Sequence, residues 1–132
     1  MFSKRTLVVV LVIVVALVVI RGIMIIGSPG EERTRRMDSR RVDDLQRISQ
    51  SVEVYHSRHQ EVPGSLEELA KEPGLANVPR DPMTDQPYDY RRVAATSYEL
   101  CGVFDRESRD AGVEGFWAHG VGRQCFTRNI KP

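Results

Sequence analysis

An unbroken run of apolar residues near the N-terminus limits what this chain can fold into more than any other feature. The run covers Leu7 to Ile20, and after Arg21 and Gly22 it resumes to complete a 22-residue segment over 6–27. As an α-helix this segment would be roughly 33 Å long, which is enough to cross the ~30 Å hydrocarbon core of a bilayer. Although valine is a poor helix former in water, a backbone in lipid must satisfy its own hydrogen bonds, so we predict a helix.

Three interpretations of this segment compete. In a cleaved signal peptide, Lys4 and Arg5 would form the charged region and 7–20 the apolar region, but no small-residue cleavage site follows at 25–27. A buried core helix would need a far less polar remainder to cover it. The sequence therefore predicts a retained single-span anchor, with Arg21 reaching the headgroups through its long side chain.

The charges around the segment predict its orientation less directly. Lys4 and Arg5 favour a cytoplasmic N-terminus, whereas the basic residues that follow the segment favour the opposite sense. Those residues are interleaved with acids at helical spacing, so we expect a self-neutralised, solvated helix face. The basic residues are Arg33, Arg35, Arg36, Arg40 and Arg41, and the acidic ones are Glu31, Glu32, Asp38, Asp43 and Asp44.

Charge and composition exclude some classes of protein. The formal net charge of the chain is +1, and beyond residue 30 it is −2, which argues against a dedicated nucleic-acid-binding protein. About a third of the residues beyond residue 30 are apolar, which suffices for a small core only. The chain has two cysteines, which allow at most one internal disulfide.

The sequence predicts a long amphipathic helix in the first part of the soluble region. Ser28 can cap it, Pro29 suits its first position, and Pro63-Gly64 prevents it from continuing, so we predict a helix over 29–59. Apolar residues recur along it at helical spacing, which predicts one buried stripe. The stripe consists of Met37, Val42, Leu45, Ile48, Val52 and Tyr55.

A short helix and several strands follow. Ser65 and Glu68 form a capping box that opens a helix over 65–72. Alternating residues predict strands at about 87–93, 97–104 and 115–119, with a short edge strand over 125–130. In the clearest strand Tyr98, Leu100 and Phe104 share one face, and Cys101 and Val103 share the other. The fold class is α+β, with the long amphipathic helix packed on a small antiparallel β-sheet.

Three stretches of this soluble region, EVPGSLEEL, VPRDPMTDQPYDY and SYELCGVF, occur in an order that resembles the major, G-type pseudopilins of type II secretion systems. The resemblance covers Leu45 to Phe104. Its most specific residues are Asp81 and Pro82 followed by Pro87, Tyr88 and Tyr90, which it implies are structural motif residues. The C-terminal stretch WAHGVGRQCFTRNIKP is also similar to the C-termini of small bacterial single-span membrane proteins of unknown function.

The resemblance implies a pilin-like domain outside the bacterial inner membrane. Residues 1–5 would then be cytoplasmic, 6–27 would be the transmembrane helix, and 28–132 would be the extracytoplasmic domain. The start from Met1 to Leu7 lacks the glycine that precedes cleavage in the family and the glutamate at its fifth mature position, so we expect an unprocessed N-terminus.

An external domain favours a disulfide between Cys101 and Cys125, because such bonds persist in oxidising compartments. A pilin-like sheet would bring the two cysteines close together. The expected separation of their Cα atoms is then about 4.4–6.8 Å. The alternative is a pair of free, buried thiols.

The remaining polar residues form no recognisable catalytic or metal-binding pattern. His56, His59 and His119 lack ligand spacing, so we expect surface histidines. The acidic loop offers calcium ligands without an EF-hand spacing, so we expect a solvated loop. That loop carries Asp105, Glu107, Asp110 and Glu114.

These patterns predict a non-enzymatic, membrane-anchored envelope protein with a structural or interaction role and no cofactor. Its partners would be the lipid bilayer and other envelope or pilin-like proteins, with no nucleic acid. One alternative is a true pilin or pseudopilin subunit of a type II secretion or type IV pilus system with a degenerate leader. Another is a metal- or ligand-binding envelope protein that uses Trp117, His119 and Cys125.

Overall fold

The computed structural model describes residues 3–26, 28–108 and 115–131. The chain divides into two compact units, Met1–Arg33 and Thr34–Pro132.

Helix α1 (Lys4–Ile26) contains the apolar run and covers the helix predicted over 6–27 except for Gly27, which lies outside the described residues. Its apolar side chains are exposed along its length, from Leu7 at 63% to Ile25 at 83%. By length and composition, α1 is able to cross a membrane.

Helix α2 (Pro29–His59) has the bounds that the sequence predicts. The side chain of Ser28 accepts a hydrogen bond from the backbone N–H of Glu31 at 3.3 Å, as expected of a capping residue. The predicted stripe is buried from Val42 to Tyr55, and Met37 at its beginning is half-buried.

Helix α3 (Leu66–Lys71) is one residue shorter at each end than predicted, because Ser65 and Glu72 are its capping residues. The Ser65 hydroxyl accepts from the N–H of Glu68 at 3.2 Å, and the Glu68 carboxylate accepts from the N–H of Gly64 at 2.6 Å. Together these bonds satisfy two backbone donors at the start of α3.

Three antiparallel strands form one sheet in the order β1-β2-β3. They are β1 (Asp89–Ala94), β2 (Ser97–Phe104) and β3 (Gly122–Asn129). In the central strand, Leu100 is paired with Tyr90 of β1 and with Phe126 of β3. The α+β prediction is therefore confirmed for the helices and the antiparallel sheet.

The strand predicted over 115–119 is wrong. Gly115 to Trp117 form a turn, and the third strand begins only at Gly122. The aromatic residues of this segment pack as a cluster instead, with the ring of Trp117 centred 4.9 Å from the ring of Phe126. The predicted edge strand over 125–130 is the main part of β3. The first strand starts at Asp89, after Pro87, which has no backbone N–H to donate to a sheet.

The core lies between α2 and the inner face of the sheet. Leu45, Ile48 and Val52 of α2 are fully buried in the same cluster as the inner residues of β2, as predicted. Those inner residues are Tyr98, Leu100 and Phe104. The hydroxyl groups of Ser49 and Tyr98 are 2.7 Å apart, which connects α2 to β2 by a hydrogen bond as well as by apolar contact.

Candidate functional site

The most elaborate polar arrangement begins at Asp81, the first of the motif residues. Its Oδ1 accepts hydrogen bonds from the backbone N–H groups of Met83 at 2.9 Å and Thr84 at 3.0 Å, which closes a local turn. Its Oδ2 accepts from Nε of Arg41 at 2.7 Å. One carboxylate therefore shapes this turn and fastens it to α2.

Arg41 is the centre of a network that is buried at Arg41 and Asp38 and partly exposed at Asp105. Its Nη1 donates to Asp38 at 2.7 Å and to Asp105 at 2.6 Å. Asp38 in turn accepts from the backbone N–H groups of Asp105 at 3.1 Å and Arg106 at 2.8 Å. The network therefore joins α2, the turn that contains Asp81, and the segment that follows β2.

Burial of this network corrects the prediction of a wholly solvated charged face. Arg41 is 5% exposed and Asp38 is 4% exposed. Both lie in phase with Leu45 and Ile48 at helical spacing, so the helix turns them toward the core. This helical spacing could have indicated that Arg41 and Asp38 are buried. It could not indicate the remote carboxylates that compensate the buried charge of Arg41.

The network raises the pKa of Arg41 and lowers the pKa of Asp81. Burial alone would lower the pKa of Arg41, but the hydrogen bonds to Asp81, Asp105 and Asp38 outweigh it, so the pKa is raised. Burial would likewise raise the pKa of Asp81, but the bonds from Arg41, Met83 and Thr84 hold it below its ordinary value. Both groups are therefore charged at neutral pH.

The two tyrosines of the motif fasten the same segment at further points. The Tyr88 hydroxyl donates to Oδ2 of Asp44 on α2 at 2.9 Å, and burial, followed by this carboxylate, raises the pKa of Tyr88. The Tyr90 hydroxyl donates to the carbonyl of Pro63 at 2.8 Å. The Tyr90 ring also stacks on Tyr98, with centroids 5.6 Å apart.

The two prolines of the motif are exposed. Pro82 follows Asp81 directly, and Pro87 forms an isolated antiparallel bridge with Arg80 at the other end of the turn. The backbone of Asp85, between them, has a φ of 55°, a left-handed conformation that aspartate tolerates better than most residues. The motif therefore builds a compact turn whose tyrosines and Asp81 anchor it.

A cleft of about 430 Å³ opens beside this turn. Met83, Val103 and the bridged Cys101 contribute apolar surface to it. Its charged lining residues include Arg41, Asp81 and Asp105, but these are bonded to one another. Charged groups engaged in this way favour holding segments together over proton transfer or nucleophilic attack.

Cys101 and Cys125 form a disulfide between directly opposed positions of β2 and β3. The bridge lies on the outer face of the sheet, because the residues beside it in each strand, Leu100 and Phe126, point into the core. The Cα atoms are 4.0 Å apart, closer than the 4.4–6.8 Å that we expected. Opposed residues of adjacent antiparallel strands have Cα atoms about 4.5–5.5 Å apart, so the strand pairing alone brings the two cysteines within reach of each other.

Among the described residues, one group of metal-binding side chains converges. The ligand atoms of Glu99, Cys101 and Cys125 lie within 4.8 Å of one another. Two of the three are the sulfur atoms of the disulfide, which are not thiolates while the bridge is intact. The group therefore offers a metal a single carboxylate.

The three histidines lie apart from that group and have different surroundings. His56 is 8% exposed, which corrects its prediction as a surface residue, and its Nε2 has no hydrogen-bond partner. His59 is exposed and lies 3.1 Å from a carboxylate oxygen of Glu72. His119 stacks on Phe104 with ring centroids 3.7 Å apart.

Two further candidate sites from the sequence are the acidic loop and the C-terminal group of Trp117, His119 and Cys125. In the acidic loop, Asp105 is bound to Arg41 and Glu107 is exposed, while Asp110 and Glu114 lie outside the described residues. At the C-terminal end, Trp117 packs on the core side of β3 against Phe126, whereas Cys125 points to the outer face. Trp117, His119 and Cys125 therefore do not form one binding site.

Comparison of the chain with protein-family models, with curated proteins and with solved structures finds no match. Function must therefore be argued from the geometry of the chain itself.

Proposed function

We propose that this chain is a membrane-anchored envelope protein whose C-terminal unit has a structural or interaction role outside the bacterial inner membrane. The observation that carries the proposal is the exposure of the large apolar side chains of α1 from Leu7 to Ile25. A soluble protein that exposed so many valines and leucines would aggregate, whereas a bilayer covers them. The unit over Thr34–Pro132 has its own core, so it does not need α1 for burial.

We further propose that the C-terminal unit is pilin-like. Its long helix, which packs on a three-stranded antiparallel sheet, supports this interpretation. The anchoring of the motif turn through Asp81, Tyr88 and Tyr90 gives three of the residues that carry the resemblance a structural purpose. We propose a non-enzymatic interaction role, because charged groups that line the cleft beside this turn, Arg41, Asp81 and Asp105, are paired with one another.

Membrane anchoring is tested by alkaline carbonate extraction of membranes that contain the full chain. We expect the chain to stay in the pellet, with an intact mass that retains residues 1–27. A Val12→Asp/Val15→Asp variant is the matched control, and it should move to the supernatant because charges near the middle of a span are costly. Release of the unaltered chain, or a mature start near Ser28, would contradict the anchor.

Orientation is tested by labelling whole cells with a membrane-impermeant thiol reagent. We expect no labelling before reduction and labelling of the exposed Cys125 after intact cells are reduced with a membrane-impermeant phosphine. A Cys101→Ser/Cys125→Ser variant measures the background. Labelling without reduction would contradict the disulfide. Labelling only after the cells are lysed would place the C-terminal unit in the cytoplasm.

A further inference from the structure

A second cleft, on another side of α2, has a different chemistry. Arg40, Asp43, Asp44 and Arg47 follow one another at helical spacing, which places them on one face of α2. Arg80 and Pro82 complete the lining. The cleft has a volume of about 350 Å³, which falls in the range of small-ligand sites.

The three arginines of this cleft are in no close ion pair, although Arg47 acts electrostatically on Asp44 and Arg80 on Glu67. Within the ranges that the structure describes, Arg40, Arg47 and Arg80 make no ion pair of 4.0 Å or less. Six other arginines of the same unit each form at least one. Those six are Arg41, Arg58, Arg91, Arg92, Arg123 and Arg128.

The position of Arg80 is set by the motif turn. Its Nη1 donates to the backbone carbonyl of Asp85 at 3.1 Å, which directs the side chain along the turn and leaves its other N–H groups available to a ligand. Arg40 and Arg47 are seven residues apart, so their Cα atoms are roughly 10 Å apart along the helix. The three cations are therefore spread around the cleft.

The two acids of the cleft only partly offset these cations. The Asp44 carboxylate is engaged by the Tyr88 hydroxyl at 2.9 Å, and burial raises its pKa above the ordinary value. Asp43 is exposed. With both acids ionised, the lining carries a formal charge of +1, and its three guanidinium groups remain the available donors.

We propose that this cleft binds a phosphate group, held by Arg40, Arg47 and Arg80. The planar fork of a guanidinium group matches two oxygens of a phosphate, and several forks around one cleft can engage one tetrahedral anion from different sides. The phosphate comes either from an anionic lipid headgroup or from a soluble phosphate compound. The inference does not depend on membrane topology or on a pilin-like role.

The test uses the full chain in phosphatidylcholine nanodiscs at low ionic strength. Inorganic phosphate is titrated in, and NMR follows the backbone amides of residues 40–47 and the Nε–Hε signals of the arginines. A soluble ligand predicts saturable shifts centred on Arg40, Arg47 and Arg80. A lipid ligand predicts the same shifts without added phosphate in nanodiscs that contain phosphatidylglycerol.

Two triple variants with the same change in net charge separate a site from general electrostatics. Arg40→Gln/Arg47→Gln/Arg80→Gln should weaken binding by at least about tenfold, because charged hydrogen bonds are lost. Arg91→Gln/Arg92→Gln/Arg123→Gln, which alters exposed ion pairs on the sheet, should change it less than about twofold. If the first variant is misfolded, Arg47→Lys serves instead, and it should weaken binding because the charge remains but the fork is lost.

Two results would overturn the proposal. One is the absence of saturable shifts with both inorganic phosphate and phosphatidylglycerol. The other is equal weakening by the two triple variants, which would mean that the chain attracts anions only through its overall charge.

Discussion

Nε of Arg41 lies 2.7 Å from Oδ2 of Asp81, and this bond joins a helix to a turn 40 positions further along the chain. The same guanidinium group also binds Asp38 and Asp105, so the buried cation holds three segments in one arrangement. Buried ion pairs of this kind add little stability compared with apolar packing, but removing one partner leaves uncompensated charge in the interior. We therefore expect the loss of one partner to lower the free energy of unfolding by more than the intact network raises it.

Arg41→Met should destabilise the C-terminal unit by about 3–5 kcal/mol, because Asp38 and Asp81 would stay buried without their cation. Urea unfolding of the full chain in detergent micelles measures this loss. The fluorescence of Trp117, the single tryptophan and a buried residue, reports unfolding.

Arg91→Met is the matched control for that substitution. Its side chain is 72% exposed and pairs with Glu99, so we expect a loss below about 1 kcal/mol. Equal losses of unfolding free energy in the Arg41 and Arg91 variants would show that the network contributes no more to stability than an exposed ion pair.

The depressed pKa of Asp81 makes the stability of this unit depend on pH. The ordinary pKa of the group is 3.8, and a carboxyl group with a lowered folded pKa contributes stability above that value. This contribution is lost as the pH falls through the lower folded pKa. Stability should therefore decline below about pH 4, since protonation weakens the bond from Arg41.

Asp81→Asn tests this dependence, because the amide keeps an oxygen for the turn but carries no charge. The variant should be less stable than the unaltered chain at neutral pH, and the difference should shrink as the pH falls below about 4. Urea midpoints measured at a series of pH values give the comparison. A stability difference that stays constant across the series would mean that the pKa of Asp81 is the same in the folded and unfolded states.

Local signals predicted the parts of the fold that are determined locally. The bounds of α2 follow from Ser28, Pro29 and the apolar stripe, and α3 follows from its capping box. Alternation along β2 also identified which of its side chains face the core. In each of these cases the deciding residues are neighbours in the sequence.

Contacts between remote residues account for what could not be predicted. Asp38, three positions before Arg41, is a partner that helical spacing indicates, but Asp81 is 40 positions away and Asp105 is 64, so nothing near Arg41 indicated these two carboxylates. The aromatic residues at 116–117 have high strand propensity, but packing of Trp117 against Phe126 places them in a turn. The cleft lined by Arg40, Arg47 and Arg80 likewise depends on how the motif turn folds back onto α2.

The stripe of α2 provides a test of the core. Ile48→Ala should cost about 2–4 kcal/mol, because a fully buried side chain would be replaced by a cavity. Val54→Ala on the same helix is the control, since Val54 is 39% exposed and should cost less than about 1 kcal/mol. Similar losses for both would mean that α2 does not pack on the sheet.

The disulfide should contribute stability mainly by restricting the unfolded chain. Cys101 and Cys125 are 24 positions apart, and closing a loop of that length is worth about 3 kcal/mol. We expect Cys101→Ala/Cys125→Ala to lose about this amount in urea unfolding of the full chain. Reducing the unaltered chain with dithiothreitol should cause a similar loss, while dithiothreitol should leave the double variant unchanged. If the reductant leaves the unaltered chain at full stability after mass spectrometry has confirmed two free thiols, the bridge does not stabilise the fold.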